Sequence, residues 1–170
     1  MPNNNIIIQG SARSKGNTHK ISTILQQKLR AEIIDLKTLT IHGYSYEHEY
    51  IADDFLPTMR KIVTYEKIIV VTPVYWYAMS GIMKNFFDRI TDCLKIEKEL
   101  GRKLRKKQMA AVACGSDKIE TEGFFVPFQY SAEYLGMKYL GDVHTWIDKE
   151  ELEAEVLRRI ERFVQQIGGQ

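Results

Sequence analysis

The sequence predicts an α/β domain of three layers, with helices on both faces of a five-stranded parallel sheet in the order 2-1-3-4-5. Two observations predict it. The runs Ile6-Ile7-Ile8 and Ile68-Ile69-Val70-Val71 are β-branched and continuously apolar, as strands covered on both faces must be. Strand-like runs also alternate with stretches of helical apolar spacing five times, the pattern of βα units feeding a parallel sheet. With 170 residues, the chain is long enough for one domain, 1–170, to bury a full core.

The elements follow in order. After the Ile6–Ile8 strand, Ile21, Ile24, Leu25 and Leu29 mark a helix that starts near Asn17 or Thr18. Residues 31–36 read as a second strand, far enough from the first for a right-handed helical crossover. Residues 41–50, rich in Tyr, His and Glu, have no period and read as a loop, either solvated or a lid over a ligand. Asp53 and Asp54 can cap a helix with Pro57 in its first turn and Leu56, Met59, Ile62 and Val63 on its apolar face. Strand three, Ile68–Val71, leads through residues 72–81 to a helix carrying Ile82, Met83, Phe86, Phe87 and Ile90. Residues 95–107 are charged and read as a surface connection. Met109–Ala113 is the fourth strand, and a helix runs through Phe125 to Leu135 with Gly136 just past its end. Residues 137–146 contain the fifth strand. Leu152, Val156, Ile160, Phe163, Val164 and Ile167 form a last amphipathic helix, stopped by Gly168-Gly169.

Composition excludes some classes. A formal net charge of +2 is too small to argue for nucleic acid. No apolar run approaches a membrane span, and Met1 to Asn5 lacks the apolar core of a signal peptide. Cys93 and Cys114 have no metal-ligand spacing and fit a reducing compartment, so a cytoplasmic protein is expected.

Two turns carry the chemistry. The first, Gly10-Ser11-Ala12-Arg13-Ser14-Lys15-Gly16-Asn17-Thr18, joins a buried strand to a helix N-terminus. Unpaired N–H groups and the positive end of the helix dipole meet there, with hydroxyls from Ser11, Ser14 and Thr18 and cations from Arg13 and Lys15. That is a phosphate site. Gly16 is followed by Asn17 rather than Lys, so the turn is not a Walker A loop, and Ala12 breaks a dinucleotide G-x-G-x-x-G. The second turn, after strand three, holds Pro73, Val74, Tyr75, Trp76 and Tyr77. Three consecutive aromatics at a strand end suit a wall for a flat heterocycle better than a core. In the order 2-1-3-4-5, strands one and three are neighbours where the strand order reverses, which is where such sheets bind ligands. A phosphate turn beside an aromatic wall suits flavin mononucleotide, with Cys114, Gly115 and Ser116 offering backbone contacts to the ring's pyrimidine edge.

At these residues the chain resembles the flavodoxin-like NAD(P)H-dependent FMN reductases and quinone reductases. Residues 10–18 are similar to that family's G-S-x-R-x-x-G-N-T phosphate loop. Residues 72–81, with Met83-Lys84-Asn85-Phe86-Phe87-Asp88-Arg89, are similar to its S-P-V-Y-W-x-x-x-(S/T)-G-x-x-K-x-F-x-D-R element. The resemblance implies non-covalent FMN, NADH or NADPH as co-substrate, and a small electron acceptor such as a quinone or free flavin. It further implies a homodimer, or a dimer of dimers, with the flavin near the interface. Lys84, Asp88 and Arg89 are then structural or interface residues, and no side chain need act as acid or base. Residues 42–50 contain no cysteine, so the iron–sulfur cluster of some relatives is not expected. A flavodoxin-type carrier, or a flavin-free regulatory descendant of the fold, is the alternative. His42, Glu47, His48 and Glu49 read as loop residues rather than metal ligands. Arg102, Lys103, Arg105, Lys106 and Lys107 read as a solvated turn.

Overall fold

A computed structural model describes residues 4–149 and 151–168. The elements are β1 (Asn5–Gln9), α1 (Asn17–Leu29), β2 (Glu32–Asp35), a 3₁₀ turn (Leu36–Thr38), α2 (Phe55–Ile62) and β3 (Lys67–Tyr75). They continue with β4 (Ala78–Met79), α3 (Gly81–Lys95), α4 (Lys98–Arg102), β5 (Gln108–Gly115), α5 (Val126–Tyr134), β6 (Lys138–Trp146) and α6 (Ala154–Gly168).

The long strands pair in the order β2-β1-β3-β5-β6, all parallel, and β4 pairs antiparallel with the end of β3. This is the expected 2-1-3-4-5 sheet with one short hairpin strand added. Side chains alternate across it as the period of two requires. Ile6, Ile8, Ile68, Val70, Met109 and Ala111 face α2, α3, α4 and α5. Ile7, Ile69, Val71, Ala110 and Val112 face α1 and α6. The three isoleucines of β1 are fully buried, and each contributes roughly 1.5–3 kcal/mol relative to exposure. Both core layers therefore pass through β1 and β3, and the ends of these two strands are held rigidly side by side.

Three expectations need correction. β3 does not stop at Val71 but continues to Tyr75 and folds back as β4, so the aromatic turn is a β-hairpin. Residues 95–107 are not only a surface connection: they hold α4, which packs against α3, and Leu100 and Leu104 are buried in the core on that face. Asp54 makes no side-chain cap to α2; Asp53 Oδ1 accepts from Phe55 N at 2.9 Å, while Asp54 Oδ2 accepts from Thr40 N at 2.7 Å. Residues 41–50 are the expected loop, with most of their side chains exposed, and they are pinned along α3. Asn85 Nδ2 donates to Ile41 O at 3.0 Å, Arg89 donates to the carbonyls of His42 and Tyr50 at 3.0 Å, and His48 Nδ1 lies 2.6 Å from Asp92 Oδ1. α6 runs through Gly168, and Gly169, the other half of the expected stop, lies outside the described residues.

Candidate functional site

The sheet brings the two turns together at their roots. Gly10 N–H donates to Val71 O at 2.9 Å, and Ser80 Oγ donates to Gly10 O at 2.5 Å. A side chain on Gly10 would place its Cβ 2.8 Å from Met83 Cε, so only glycine lets α3 pack this close to the turn.

Beyond Gly10 the first turn is braced from within. Gln9 Nε2 donates to Ser14 O at 3.2 Å, and its Oε1 lies 3.2 Å from His19 Nδ1. Arg13 N donates to Ser11 Oγ at 3.2 Å, and Asn17 Nδ2 donates to Ile147 O at 3.3 Å. The start of α1 has no side-chain cap at Gly16 and no acidic residue in its first turn. Among the described residues the N–H groups of Ser14, Lys15, Asn17 and Thr18 have no protein acceptor. A helix start with free donors, no cap and no competing carboxylate is built for an anion. Arg13 folds back over it, with its Nε 3.5 Å from where a Cβ on Gly16 would stand. The site residues differ in access: Ser11 and Thr18 are buried beneath the turn, whereas Arg13 and Lys15 are exposed and Ser14 half-buried.

The second turn closes with Trp76 and Tyr77, at φ values of 49° and 63°. Both are left-handed, as a two-residue hairpin turn of type I′ requires, and neither is the Gly, Asn or Asp such turns favour. The strained turn holds Trp76 and Tyr77 at 93% and 72% exposure. Two residues not singled out from sequence anchor its base. Thr72 Oγ1 accepts from Ser80 N at 3.1 Å, and Ser80 Oγ accepts from Met83 N at 3.0 Å, capping α3.

The third loop leaves β5. Cys114 is buried, so its contribution to a ligand is restricted to its backbone. Burial pushes its thiol up to about 11, against opposing hydrogen bonds with Thr18 and Thr145. That pairing also places the start of α1 against the end of β5. Beyond Gly115, His144 Nε2 lies 2.9 Å from Asp117 O, and Asp117 Oδ1 accepts from Ile119 N at 2.9 Å.

A cavity of about 390 Å³ separates the hairpin from this loop. Val74, Trp76 and Tyr77 form one side; Gly115, Ser116, Asp117, Ile119, Thr121 and His144 form the other. Its size is within the range of cofactor pockets. Pro73 and Tyr75 stand outside its lining, on β3 itself. Asp117, Ile119, Thr121 and His144 were not among the sequence candidates. His144 lies between Val143 and Thr145 on β6, and only the neighbouring loop makes its role interpretable. A larger cleft, about 520 Å³, lies between β6 and α6 and shares Thr121 and His144. Its arginines Arg158, Arg159 and Arg162 face the carboxylates Glu120, Asp142 and Glu155, so its charges largely balance and no one ligand charge is favoured. Among the described residues no group of three or more His, Cys, Asp or Glu is placed to hold a metal ion.

The residues fit FMN on two observations: free N–H donors with a cation at the start of α1, and a cavity lined by aromatic rings of the hairpin that leaves the neighbouring strand, β3. Fold and site together define a flavodoxin-like α/β protein. Residues 4–150 match the family described as NADPH-dependent FMN reductase, and the chain belongs to that family of oxidoreductases. It is 28% identical over 147 residues to YwqN of Bacillus subtilis, provisionally assigned as an NAD(P)H-dependent FMN-containing oxidoreductase, covering 81% of each chain. Its fold is similar to that of the Trp repressor binding protein from Bacillus subtilis, with a TM-score of 0.71, 24% identity and coverage of 95% and 94%. It is also similar to that of an FMN-dependent NADH-azoreductase from Bacillus anthracis in complex with FMN, with a TM-score of 0.65, 12% identity and 97% coverage of both chains. No helix among the described residues is long and apolar enough to cross a membrane.

Proposed function

We propose that this protein binds FMN between its first and second turns and uses it to oxidise NADH or NADPH at the expense of a small acceptor such as a quinone or free flavin. One observation carries the reading: β1 and β3 are paired, so an uncapped helix start and an aromatic hairpin stand side by side. FMN held there would supply two-electron hydride chemistry between the nicotinamide and the second substrate. The protein's residues bind and orient. The N–H groups at the start of α1 and the guanidinium of Arg13 hold the phosphate. The hairpin rings of Trp76 and Tyr77 back the flat ring system and exclude water from one side. Backbone groups of Gly115 and Ser116 meet its polar edge.

A homodimer is part of the proposal. An apolar groove of about 440 Å³ runs between α3 and α5, lined by Met79, Phe87, Ile90, Leu94, Tyr130 and Tyr134. Met79 is on β4, so the groove reaches the base of the hairpin. Exposed apolar surface of this kind marks association sites, and a second copy of the chain seated there would bring the two flavin sites near one interface.

Steady-state oxidation of NADH and NADPH with a quinone or excess FMN tests the enzyme reading. Sustained turnover supports it. A protein that takes up FMN but gives only a single reduction is a carrier.

A further inference from the structure

We infer that His144 is a positioning residue that turns the N–H groups of Ser116 and Lys118 toward the flavin cavity. The inference rests on the FMN reading above and concerns how the site is aimed.

His144 is 5% exposed on β6, and its Nε2 is 2.9 Å from Asp117 O. A carbonyl oxygen only accepts, so Nε2 carries the hydrogen. Two peptides earlier, Ile147 N donates to Gly115 O at 3.3 Å. Two carbonyls of the loop are thus drawn to the β6 side. A trans peptide sets its N–H opposite to its C=O. The N–H groups of the same two peptides, on Ser116 and Lys118, therefore face away from β6, toward the hairpin across the cavity. Neither has an acceptor among the described residues.

The histidine is itself fixed. Its ring stacks on Trp146 at 6.1 Å and 22°, and Arg159 lies 5.0 Å above the same indole. A Cβ on Gly115 would stand 2.9 Å from His144 Cε1, so the glycine allows the imidazole to reach past it. Fixed donors aimed at an acceptor edge stabilise the state in which negative charge accumulates there. For a flavin that is the reduced form, at its pyrimidine end.

The test compares His144→Leu, which lacks the donor, with His144→Gln, which keeps an N–H donor at similar reach. In His144→Leu, reduced FMN should lose about tenfold in affinity relative to oxidised FMN, a fall of about 30 mV in the two-electron potential. His144→Gln should restore most of it, and the FMN phosphate contacts should be unaffected in both. A wild-type potential in His144→Leu overturns the inference while leaving FMN binding standing. Equal falls in both variants, tracking their melting temperatures, reduce His144 to packing and also overturn it. Nitrogen NMR of the ligand-free protein reads the same claim without flavin. It should show Nε2–H on His144, with faster amide exchange at residues 116–118 in the leucine variant. An Nδ1–H tautomer or unchanged exchange contradicts the inference even if the wild-type protein takes up no FMN, a result that sinks the functional reading separately.

Discussion

Replacing Arg89 by methionine should destabilise the protein more than any other single change on α3. The guanidinium is 1% exposed and donates five hydrogen bonds. Nε reaches Asp92 Oδ2 at 2.7 Å, Nη1 reaches Asp53 Oδ2 at 2.6 Å and His42 O at 3.0 Å, and Nη2 reaches Tyr50 O at 3.0 Å and Asp53 Oδ1 at 3.2 Å. Arginine has five N–H groups, so every donor is used. Methionine fills the volume but leaves two carboxylates, each 3% exposed, without their cation. Removing one partner of such a pair costs about 3–5 kcal/mol. In a chain of this length that is a fall of roughly 6–20 °C in melting temperature. The effect depends on pH. Burial raises the Asp53 carboxyl, but hydrogen bonds from Arg89, Phe55 N and His42 N outweigh it and hold the group below its ordinary value. A carboxyl depressed in the folded state adds stability above its unfolded pKa and loses it as pH falls through the folded one. The gap between wild type and variant should therefore narrow below about pH 4. Thermal melts of both proteins from pH 7 to pH 3 supply the comparison. A variant melting within about 2 °C of wild type at pH 7 refutes the reasoning.

Three further outcomes follow from the site. Arg13→Ala should weaken FMN binding by roughly 10- to 100-fold, because a hydrogen bond to a charged group contributes about 1.5–3 kcal/mol; equilibrium titration reads it, and unchanged affinity moves the phosphate elsewhere. Tyr77→Gly should stabilise the ligand-free protein by about 1–2 kcal/mol by relieving a left-handed tyrosine, while weakening FMN binding. A gain in both stability and affinity would separate the strained turn from ligand binding. With its thiol pushed up to about 11 and buried, Cys114 should resist alkylation at pH 8 in the native protein and react on unfolding. Rapid native labelling means that the end of β5 opens.

Much of this was readable from the chain. Ile6–Ile8 and Ile68–Val71 carry enough β-branched apolar side chain to admit only buried strands, and their separation admits only a crossover, so the adjacency of the two turns followed. The hairpin did not follow, because Trp76-Tyr77 contradicts the turn chemistry that signals one; the strain is visible only as two positive φ angles. α4 was hidden by charge: Leu100 and Leu104 sit among charged residues, and only the packing of α4 on α3 and their burial in the core reveal the element. Arg89 was placed as structural by motif resemblance, yet apart from Asp92 its partners lie 36 to 47 residues away and no local pattern names them. His144 needed the third dimension altogether, since its role depends on a carbonyl 27 residues earlier.

A crystal structure of the protein soaked with FMN decides the matter. The phosphate should lie within hydrogen-bonding distance of the N–H groups at the start of α1 and of Arg13, with the ring system between the Trp76-Tyr77 hairpin and residues 115–117. Flavin found in the β6–α6 cleft, or a cavity behind the hairpin filled by the protein's own side chains under saturating FMN, contradicts it.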